Sequence, residues 1–455
     1  MRSARLSTST KLVYGLGDLA CQLMWSLSSS YLVLFYTDNV GLAAAAVGGL
    51  MLFARVSDAI FDPILGAYIE RHPTRWGRFR PWLLFASPVM GVMTVLTFMT
   101  IPGSQNLKLT WAAITYLFQG LLYSAVNLPY GALGAVMSRD SRERVDLGSA
   151  RTVGMNVGVV LINAITMPLA ITFSGDADST SVRGYTLTAL TMVLIAVPML
   201  WLVFAKCHEV IVPDVTRTRV SLATTIRVVV TNGPLMLVAS TMLLMLTGIF
   251  GRLAVALYYY IYLMNRQDLV ALLMSLPSIA TVVGIALFTR LSSRIGKRRL
   301  LIVSLIMTAL PLVCLFFVDP SNVVFVIVLN GLYGLFFVAT PLALSMIPDA
   351  IDYQEDRTGI RSDGSGFALS SVSIKLGSAV GGAIGTWILA GFGYVANSVQ
   401  TEHAAFGINV AVNLVPAAFL ILAAIPMFFY PVTEDVYEEV RARLEAGEAD
   451  QASAS

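Results

Sequence analysis

The sequence predicts an all-α, polytopic membrane protein with twelve transmembrane helices, and three observations support that prediction. Hydrophobic residues make up 56% of the 455 residues and charged residues only 13%, which is about half of the charge that a soluble surface needs. The mean hydropathy is +0.76. The apolar residues form long runs between short polar segments, which excludes a soluble globule, a disordered chain and a fibrous repeat.

Twelve apolar runs are long enough to cross a bilayer, since a spanning helix needs roughly 20 apolar residues. They cover residues 12–36, 42–69, 81–101, 107–137, 148–173, 185–205, 233–262, 268–289, 299–318, 322–347, 366–393 and 404–430. The longest polar connector divides the chain six plus six. We predict an N-terminal six-helix bundle (1–205), a cytoplasmic middle loop (206–232), a C-terminal bundle (233–430) and an acidic cytoplasmic tail (431–455) with a short helix and then disorder.

The distribution of lysine and arginine predicts the orientation. Twenty-three of the 30 lie at the N-terminus, in the even-to-odd loops and in the tail, whereas the opposite loops hold only Lys108, Arg183 and Arg266. Positive loops stay inside, so we expect both termini to be cytoplasmic.

Several activities and partners are not expected. The chain has no P-loop and no zinc-type histidine pattern, so we expect neither an enzyme nor a cofactor. A net charge of +3 is too small to indicate a nucleic-acid partner, and three cysteines in or beside apolar runs indicate no disulfide framework. A glycine stripe at Gly377, Gly381 and Gly385 is typical of helix packing, not of phosphate binding.

An internal repeat supports the six-plus-six division. Residues 75–80 and 294–299 both match Arg-x-Gly-basic-x-basic, and each follows the second run of its half. The glycine permits a tight turn. The repeat indicates a duplicated half; the alternative is a chance match between two positive cytoplasmic loops.

Ionisable residues inside a span are costly and indicate function. In the second run, Arg55, Asp58 and Asp62 lie at i, i+3 and i+7 on one helical face. The two aspartates are one turn apart, close enough to share a cation or a proton. If the cation is sodium, these two carboxylates would bind the metal ion. The alternative is a structural ion pair between Arg55 and one aspartate.

Polar and aromatic residues in the first run suit a sugar. Asp18 and Gln22 are one turn apart, and Trp25 lies on the same face. Sugar hydroxyls need hydrogen bonds, and sugar C–H faces stack on aromatic rings. Asp18 could instead cap or pair near the cytoplasmic end, and Trp25 could pack against lipid or the core.

Four more polar residues lie inside spans. Asn127 precedes Pro129 in the fourth run, and Lys375 lies in the eleventh. Arg151 enters the fifth run from the cytoplasm, where it could also snorkel. Arg252 lies well inside the seventh run, and the sequence offers no partner for it.

Together these motifs resemble the glycoside–pentoside–hexuronide:cation symporter family, the melibiose permease group of the major facilitator superfamily. The matching stretches run from residue 11 to about 433 and include the acids of the second run, the loop after it, Asn127 to Tyr130, and Lys375. The stretches 126–130 and 393–397 look closest to the bacterial glucuronide carriers. The resemblance implies two pseudosymmetric six-helix bundles around a cavity that opens alternately to each side. It also implies that the protein lies in the plasma membrane of a bacterium.

The resemblance also assigns roles. It implies a cation site at Asp58 and Asp62. The family has a third acid and a threonine at this site, and at their positions this chain has Asn127 and Ser124. Lys375 matches a lysine near that site. At the position of the family's sugar aspartate this chain has Gln22, with Asp18 one turn away, and at that of its sugar tryptophan it has Gly131. Arg151 matches the family's sugar arginine, and we expect Asn127 to contact the sugar as well as the cation.

The predicted function is symport of a sugar, glycoside or glucuronide with a cation, by a protein that acts as a monomer in the bilayer. Protons are favoured over sodium, because two crowded carboxylates resist ionising together and Asn127 replaces the third acid. Alternatives are a carrier of a lipid-like amphiphile, against which the intramembrane polar residues argue, and a membrane sensor that has lost transport.

Overall fold

The structure is a computed structural model, and it describes residues 6–138, 140–175, 180–210, 232–358 and 363–454. The helices of the first half are α1 (Thr8–Leu34), α2 (Ala44–Arg71), α3 (Arg80–Thr97), α4 (Gln105–Val136), α5 (Ser141–Ser174) and α6 (Val182–Lys206). Those of the second half are α7 (Gly233–Tyr258), α8 (Val270–Ile295), α9 (Lys297–Phe317), α10 (Val323–Phe336), α11 (Ala339–Thr358), α12 (Asp363–Gly391), α13 (Glu402–Asn409), α14 (Val415–Phe428) and α15 (Glu434–Ala454). Short π-helical segments extend α1 to Asn39 and α7 to Leu263, and join α13 to α14.

The twelve predicted runs all lie on helices. Within the described residues, 11 helical stretches are long and apolar enough to cross a membrane; the remaining run corresponds to α3, which has 18 residues and begins at an arginine. The largest boundary differences are at α5, which begins at Ser141, and at α11, which ends at Thr358. The apolar run marks only the part of a helix inside the bilayer, so the polar turns beyond it are missed.

The tenth predicted span is interrupted between α10 and α11. Pro341 lies in the first turn of α11, where its ring excludes the helical bond to residue 337. Ser304 Oγ donates to the Phe336 carbonyl at 2.7 Å and accepts from the Val338 amide at 3.3 Å. Thr281 Oγ1 donates to the Gly334 carbonyl at 2.9 Å. Side chains of neighbouring helices therefore satisfy the backbone groups that the break releases.

The acidic tail is more helical than predicted. Instead of a short helix followed by disorder, it forms α15, which is 21 residues long. Arg443 donates to Asp356 at 2.8 Å and lies 3.9 Å from Glu439 one turn earlier. Such pairs favour a helix in a polar sequence.

The described contacts divide the chain into two compact units. The first comprises Met1–Thr216, Leu253–Ser278 and Gly382–Ile408. Its central helix is α1, which packs against α5 and α6, while α3 packs on α4 and α6 and α2 packs on α4. A Cβ atom at Gly15 would lie 2.6 Å from the Ala150 carbonyl oxygen, and one at Gly154 would clash with the Gly15 carbonyl. Small residues thus bring the backbones of α1 and α5 into contact.

The second unit comprises Arg217–Arg252, Ile279–Gly381 and Asn409–Ser455. In it, α9 packs against α10 and α14. A Cβ atom at Gly377 would lie 2.9 Å from the Leu246 side chain, and one at Gly381 would lie 2.7 Å from the Gly251 amide. The prediction that this glycine stripe packs helices is therefore confirmed at these two positions.

Candidate functional site

The contact between α1 and α5 brings two of the predicted sugar residues together. Asp18 lies one turn after Gly15, and Arg151 lies one turn before Gly154. Arg151 Nε donates to Asp18 Oδ2 at 3.1 Å. The Asp18 side chain is 4% exposed, whereas that of Arg151 is 35% exposed. The carboxylate is therefore buried, and the guanidinium keeps donors available to a ligand.

The missing side chain at Gly131 makes room for this arginine. A Cβ atom there would lie 2.8 Å from Arg151 Nη1. The guanidinium lies 5.3 Å from the centre of the Tyr130 ring, and that ring stacks on Tyr14 at 4.8 Å. Where the resemblance places a family tryptophan, this chain has a cation beside a buried pair of tyrosines.

Asn127 completes the group, and the side-chain oxygen of Gln22 is bonded to Ser26. The carboxamide of Asn127 lies beside the Asp18 carboxylate. Gln22 is buried, and its Oε1 accepts a hydrogen bond from Ser26 at 2.7 Å. The structure thus brings together Asp18, Arg151 and Asn127, while the oxygen of Gln22 is engaged within its own helix.

The predicted acid pair lies on α2, and Asp58 faces α4. Arg55 Nη1 is 3.7 Å from Asp58 Oδ2, and both residues are buried. Asp62, one turn further, is half-buried. The ion pair with Arg55, which was the structural alternative, is therefore formed, and it involves only the first of the two carboxylates.

A glycine of α4 shapes the space around Asp58. A Cβ atom at Gly120 would lie 2.7 and 2.8 Å from the two Asp58 carboxylate oxygens. Ser124, which is buried, lies one turn further along α4, and Asn127 lies at i+7 from the glycine, so all three share a helical face. Gly120 was missed by sequence reasoning, because a glycine inside an apolar run carries no chemical signal.

Trp25 lies between the two groups. Its ring stacks on Tyr123 at 4.2 Å, and the Arg55 guanidinium lies over it at 3.8 Å. The indole of Trp25 therefore links α1 to Arg55 on α2 and to Tyr123 on α4. Its predicted role as a sugar platform remains a prediction.

Lys375 is half-buried on α12, in the second unit. Its predicted role at the cation site, with Asp58 or Asp62 as partner, remains a prediction. Within the described residues, no group of three or more histidine, cysteine, aspartate or glutamate side chains could hold a metal ion.

One polar cluster of the first unit was not predicted. Asp38, at the end of the α1 extension, accepts hydrogen bonds from the hydroxyls of Tyr262 and, at 2.6 Å, Tyr394. Asn397 Nδ2 donates to the Asp38 carbonyl at 2.6 Å, and Thr37 lies 2.6 Å from the Tyr258 hydroxyl. One carboxylate therefore joins the extended ends of α1 and α7 to the segment that follows α12.

A cavity of about 530 Å³ adjoins this cluster. Leu42, Gln105, Tyr394 and Val395 are among the residues that line it. None of the predicted sugar or cation residues belongs to its lining, so this cavity is separate from the Asp18 group.

Comparison with known proteins agrees with this fold. The family model described as MFS/sugar transport protein matches residues 13–434. The chain is 34% identical to the isoprimeverose transporter of Lactiplantibacillus pentosus, covering 93% of this chain and 88% of that protein. It is 30% identical to the glucuronide carrier protein homolog of Escherichia coli (strain K12), covering 96% and 95%.

A solved D-xylose–proton symporter has the same fold. It superposes with a TM-score of 0.66 at 18% sequence identity, over 93% of this chain and 97% of that one. The prediction of a twelve-helix, all-α membrane fold is confirmed.

Proposed function

Because the chain belongs to the MFS/sugar transport protein family, and its relatives bear out the resemblance to the glycoside–pentoside–hexuronide:cation symporters, we propose that it is a secondary active transporter. It carries a sugar or glycoside through the bilayer together with a cation. Both termini face the cytoplasm, and the protein works as a monomer without a cofactor.

The observation that supports coupling is the arrangement along α4. One end of this helical face, at Gly120, meets Asp58 on α2, and Ser124 lies one turn further along. The other end, at Asn127, meets Asp18 and with it Arg151. A cation at the acids and a sugar at the arginine therefore act on one helix. Each ligand then favours the conformation that binds the other, which is what thermodynamic coupling requires.

The Asp38 cluster fits one step of alternating access. Its hydrogen bonds join the end of α1 to segments of α7 and α12. In the proposed orientation this is the outer side of the membrane. In this proposal, opening of that side breaks the bonds to Tyr262 and Tyr394.

The coupling ion we propose is the proton. Asp58 already has a cation at 3.7 Å in Arg55, and Asn127 supplies no charge, so little carboxylate charge remains to offset the dehydration of sodium. A proton needs only one carboxylate. Replacing Asn127 with aspartate should shift the preference towards sodium.

The test is counterflow and uphill uptake of radiolabelled methyl glycosides in proteoliposomes. We expect Asp58→Asn and Asp62→Asn to abolish uphill accumulation while counterflow survives, because the sugar group lies on other helices. Asp146→Asn is the matched control, because this aspartate pairs with Lys11 at 2.6 Å and is 56% exposed. An exposed pair contributes little, so the control should accumulate sugar as the wild type does.

The coupling ion is identified by uptake measurements in the same vesicles. Uptake should stop when the proton gradient is collapsed and should not depend on sodium. Normal accumulation in both aspartate variants would refute the cation site. Uptake that needs sodium and ignores the proton gradient would refute only the choice of ion.

A further inference from the structure

Arg252 is a buried charge that the proposed sugar and cation groups do not use. It lies on α7 and is 5% exposed. The helical stretch that contains it runs from Gly233 to Leu263, so Arg252 is about 16 Å along the axis from the nearer end. An arginine side chain is too short to reach the membrane surface from there.

The partners of Arg252 are neutral. Its Nη2 donates to Asn330 Oδ1 at 2.6 Å, and the guanidinium lies 4.5 Å from the centre of the Tyr333 ring. Its Nε is buried without a hydrogen-bond partner. Among the residues that the structure describes, Arg252 has no ion pair with a carboxylate. A guanidinium stays charged in proteins, and no carboxylate in the described part of the chain pairs with this one.

The position of the two partners matters. Asn330 and Tyr333 lie on α10 within two turns of the break that ends this helix at Phe336. Interrupted spanning helices are where transporters place binding sites. The end of α10 supplies roughly half a negative charge, and its Gly334 and Phe336 carbonyls already accept from Thr281 and Ser304. The partial negative charge at the end of α10 therefore does not neutralise the full positive charge of Arg252.

We propose that Arg252, with Asn330 and Tyr333, binds an anionic group on the transported solute, so that the solute is an acidic sugar or glycoside. This inference rests on the proposed function. The solute's carboxylate takes the unused donors of the guanidinium, including Nε, and Asn330 holds the guanidinium in place. The aromatic ring of Tyr333 covers its face.

The geometry fits a carboxylate better than a hydroxyl. The guanidinium presents its donors as a planar fork, which matches two carboxylate oxygens. A hydroxyl in the same place leaves the charge of this buried guanidinium uncompensated. Discrimination between an acid and its neutral analogue should therefore be large, about ten- to a hundredfold in affinity for one charge-assisted bond.

The experiment compares two matched sugar pairs: methyl β-D-glucuronide with methyl β-D-glucoside, and methyl α-D-galacturonide with methyl α-D-galactoside. Affinity is measured by the rise in the thermal midpoint of the purified protein, and transport by counterflow, both in chloride-free buffer and in the same buffer with chloride added. In the wild type the acidic member of at least one pair should bind at least tenfold more tightly. Arg252→Gln should abolish this preference, and Arg252→Lys should keep part of it.

Asn330→Asp separates ligand binding from a structural role. The new carboxylate would pair with Arg252 and compete with the solute, so binding of the acid should fall tenfold or more while the neutral sugar is unaffected. If Arg252 only stabilises the fold, this variant should be as stable as the wild type or more stable and should bind both sugars normally. Arg266→Gln is the control, because that arginine is 44% exposed and pairs with Asp268 at 2.7 Å.

The other outcomes are distinct. Equal loss of both members of a pair in Arg252→Gln would overturn the inference. So would a chloride requirement that disappears in this variant, because an inorganic anion would then fill the site. Counterflow of the neutral sugars alone would overturn the inference and leave sugar symport standing, whereas counterflow of none of the four would overturn both.

Discussion

The loops that follow the second span of each half share one design. In the first half, Gly77 has a φ of +108°, and Glu209, which follows α6, accepts from the amides of Arg78 at 3.0 Å, Phe79 at 2.8 Å and Arg80 at 3.2 Å. These amides lie at the start of α3, where the helix dipole and the free N–H groups favour a negative charge.

The second half repeats this arrangement with fewer bonds. Gly296 has a φ of +85°, and Glu434, which follows α14, accepts from the Lys297 amide at 2.5 Å. A Cβ atom at either glycine would clash with the carboxylate of its own half. Lys297 also pairs with Asp349 on α11 at 2.6 Å. A feature that both halves preserve belongs to the scaffold.

The intramembrane acids are not repeated. The two loop glycines are 219 positions apart (296 minus 77). The same offset carries Asp58 to Pro277 and Asp62 to Thr281. Pro277 offers no ionisable group, and Thr281 bonds the Gly334 carbonyl beside the helix break. At these offset positions the second half has no carboxylate and Thr281 supports the helix break, so the cation site that we propose on Asp58 and Asp62 has no counterpart there.

The largest expected effect on stability is at the two glycines. Gly77→Ala and Gly296→Ala should each lower the free energy of unfolding by about 3 kcal/mol, because a left-handed backbone costs about 1–2 kcal/mol for an L-residue and the new Cβ displaces the capping carboxylate. The midpoint of thermal unfolding in detergent measures this. Gly49→Ala is the control, since a Cβ atom there meets nothing within 4 Å, and it should not lower the midpoint. A loss at only one of the two loop glycines would break the equivalence of the halves.

The two capping carboxylates, Glu209 and Glu434, should differ in how much they stabilise the protein. We expect Glu209→Ala to cost about 2 kcal/mol and Glu434→Ala about 1 kcal/mol, because the first loses three amide bonds and the second loses one. The thermal midpoints of the two variants measure this difference. Glu439→Ala is the control, because the Glu439 side chain is 72% exposed. Equal losses would mean that the number of amides does not matter. A larger loss at Glu434 would reverse the comparison.

The sequence could predict the fold because a bilayer imposes one length on every apolar helix. It did not predict the break between α10 and α11, although Pro341 was the available signal. Hydropathy identifies the part of a helix that lies inside the bilayer. It therefore located the spans but missed the polar helical turns outside the bilayer.

The site could be predicted residue by residue but not as pairs. Asp18 and Arg151 each stood out as charges inside a run, yet their contact depends on Gly15 meeting Gly154 on another helix. Asp38 was visible as a carboxylate, but the tyrosine that donates to it at 2.6 Å is 356 residues away. Such distances along the chain are closed only by tertiary packing, which no local pattern records.

The smallest expected effect is at Thr281, which occupies the place of Asp62 in the second half. Thr281→Val keeps the shape of the side chain and removes the bond to the Gly334 carbonyl at 2.9 Å. One hydrogen bond contributes about 1 kcal/mol, so the thermal midpoint should fall slightly. Uphill accumulation should remain, because no charge is lost, whereas Asp62→Asn should abolish it. If Thr281→Val abolished accumulation with an unchanged midpoint, the second half would share in coupling, and the division between a common scaffold and cation chemistry in the first half would be wrong.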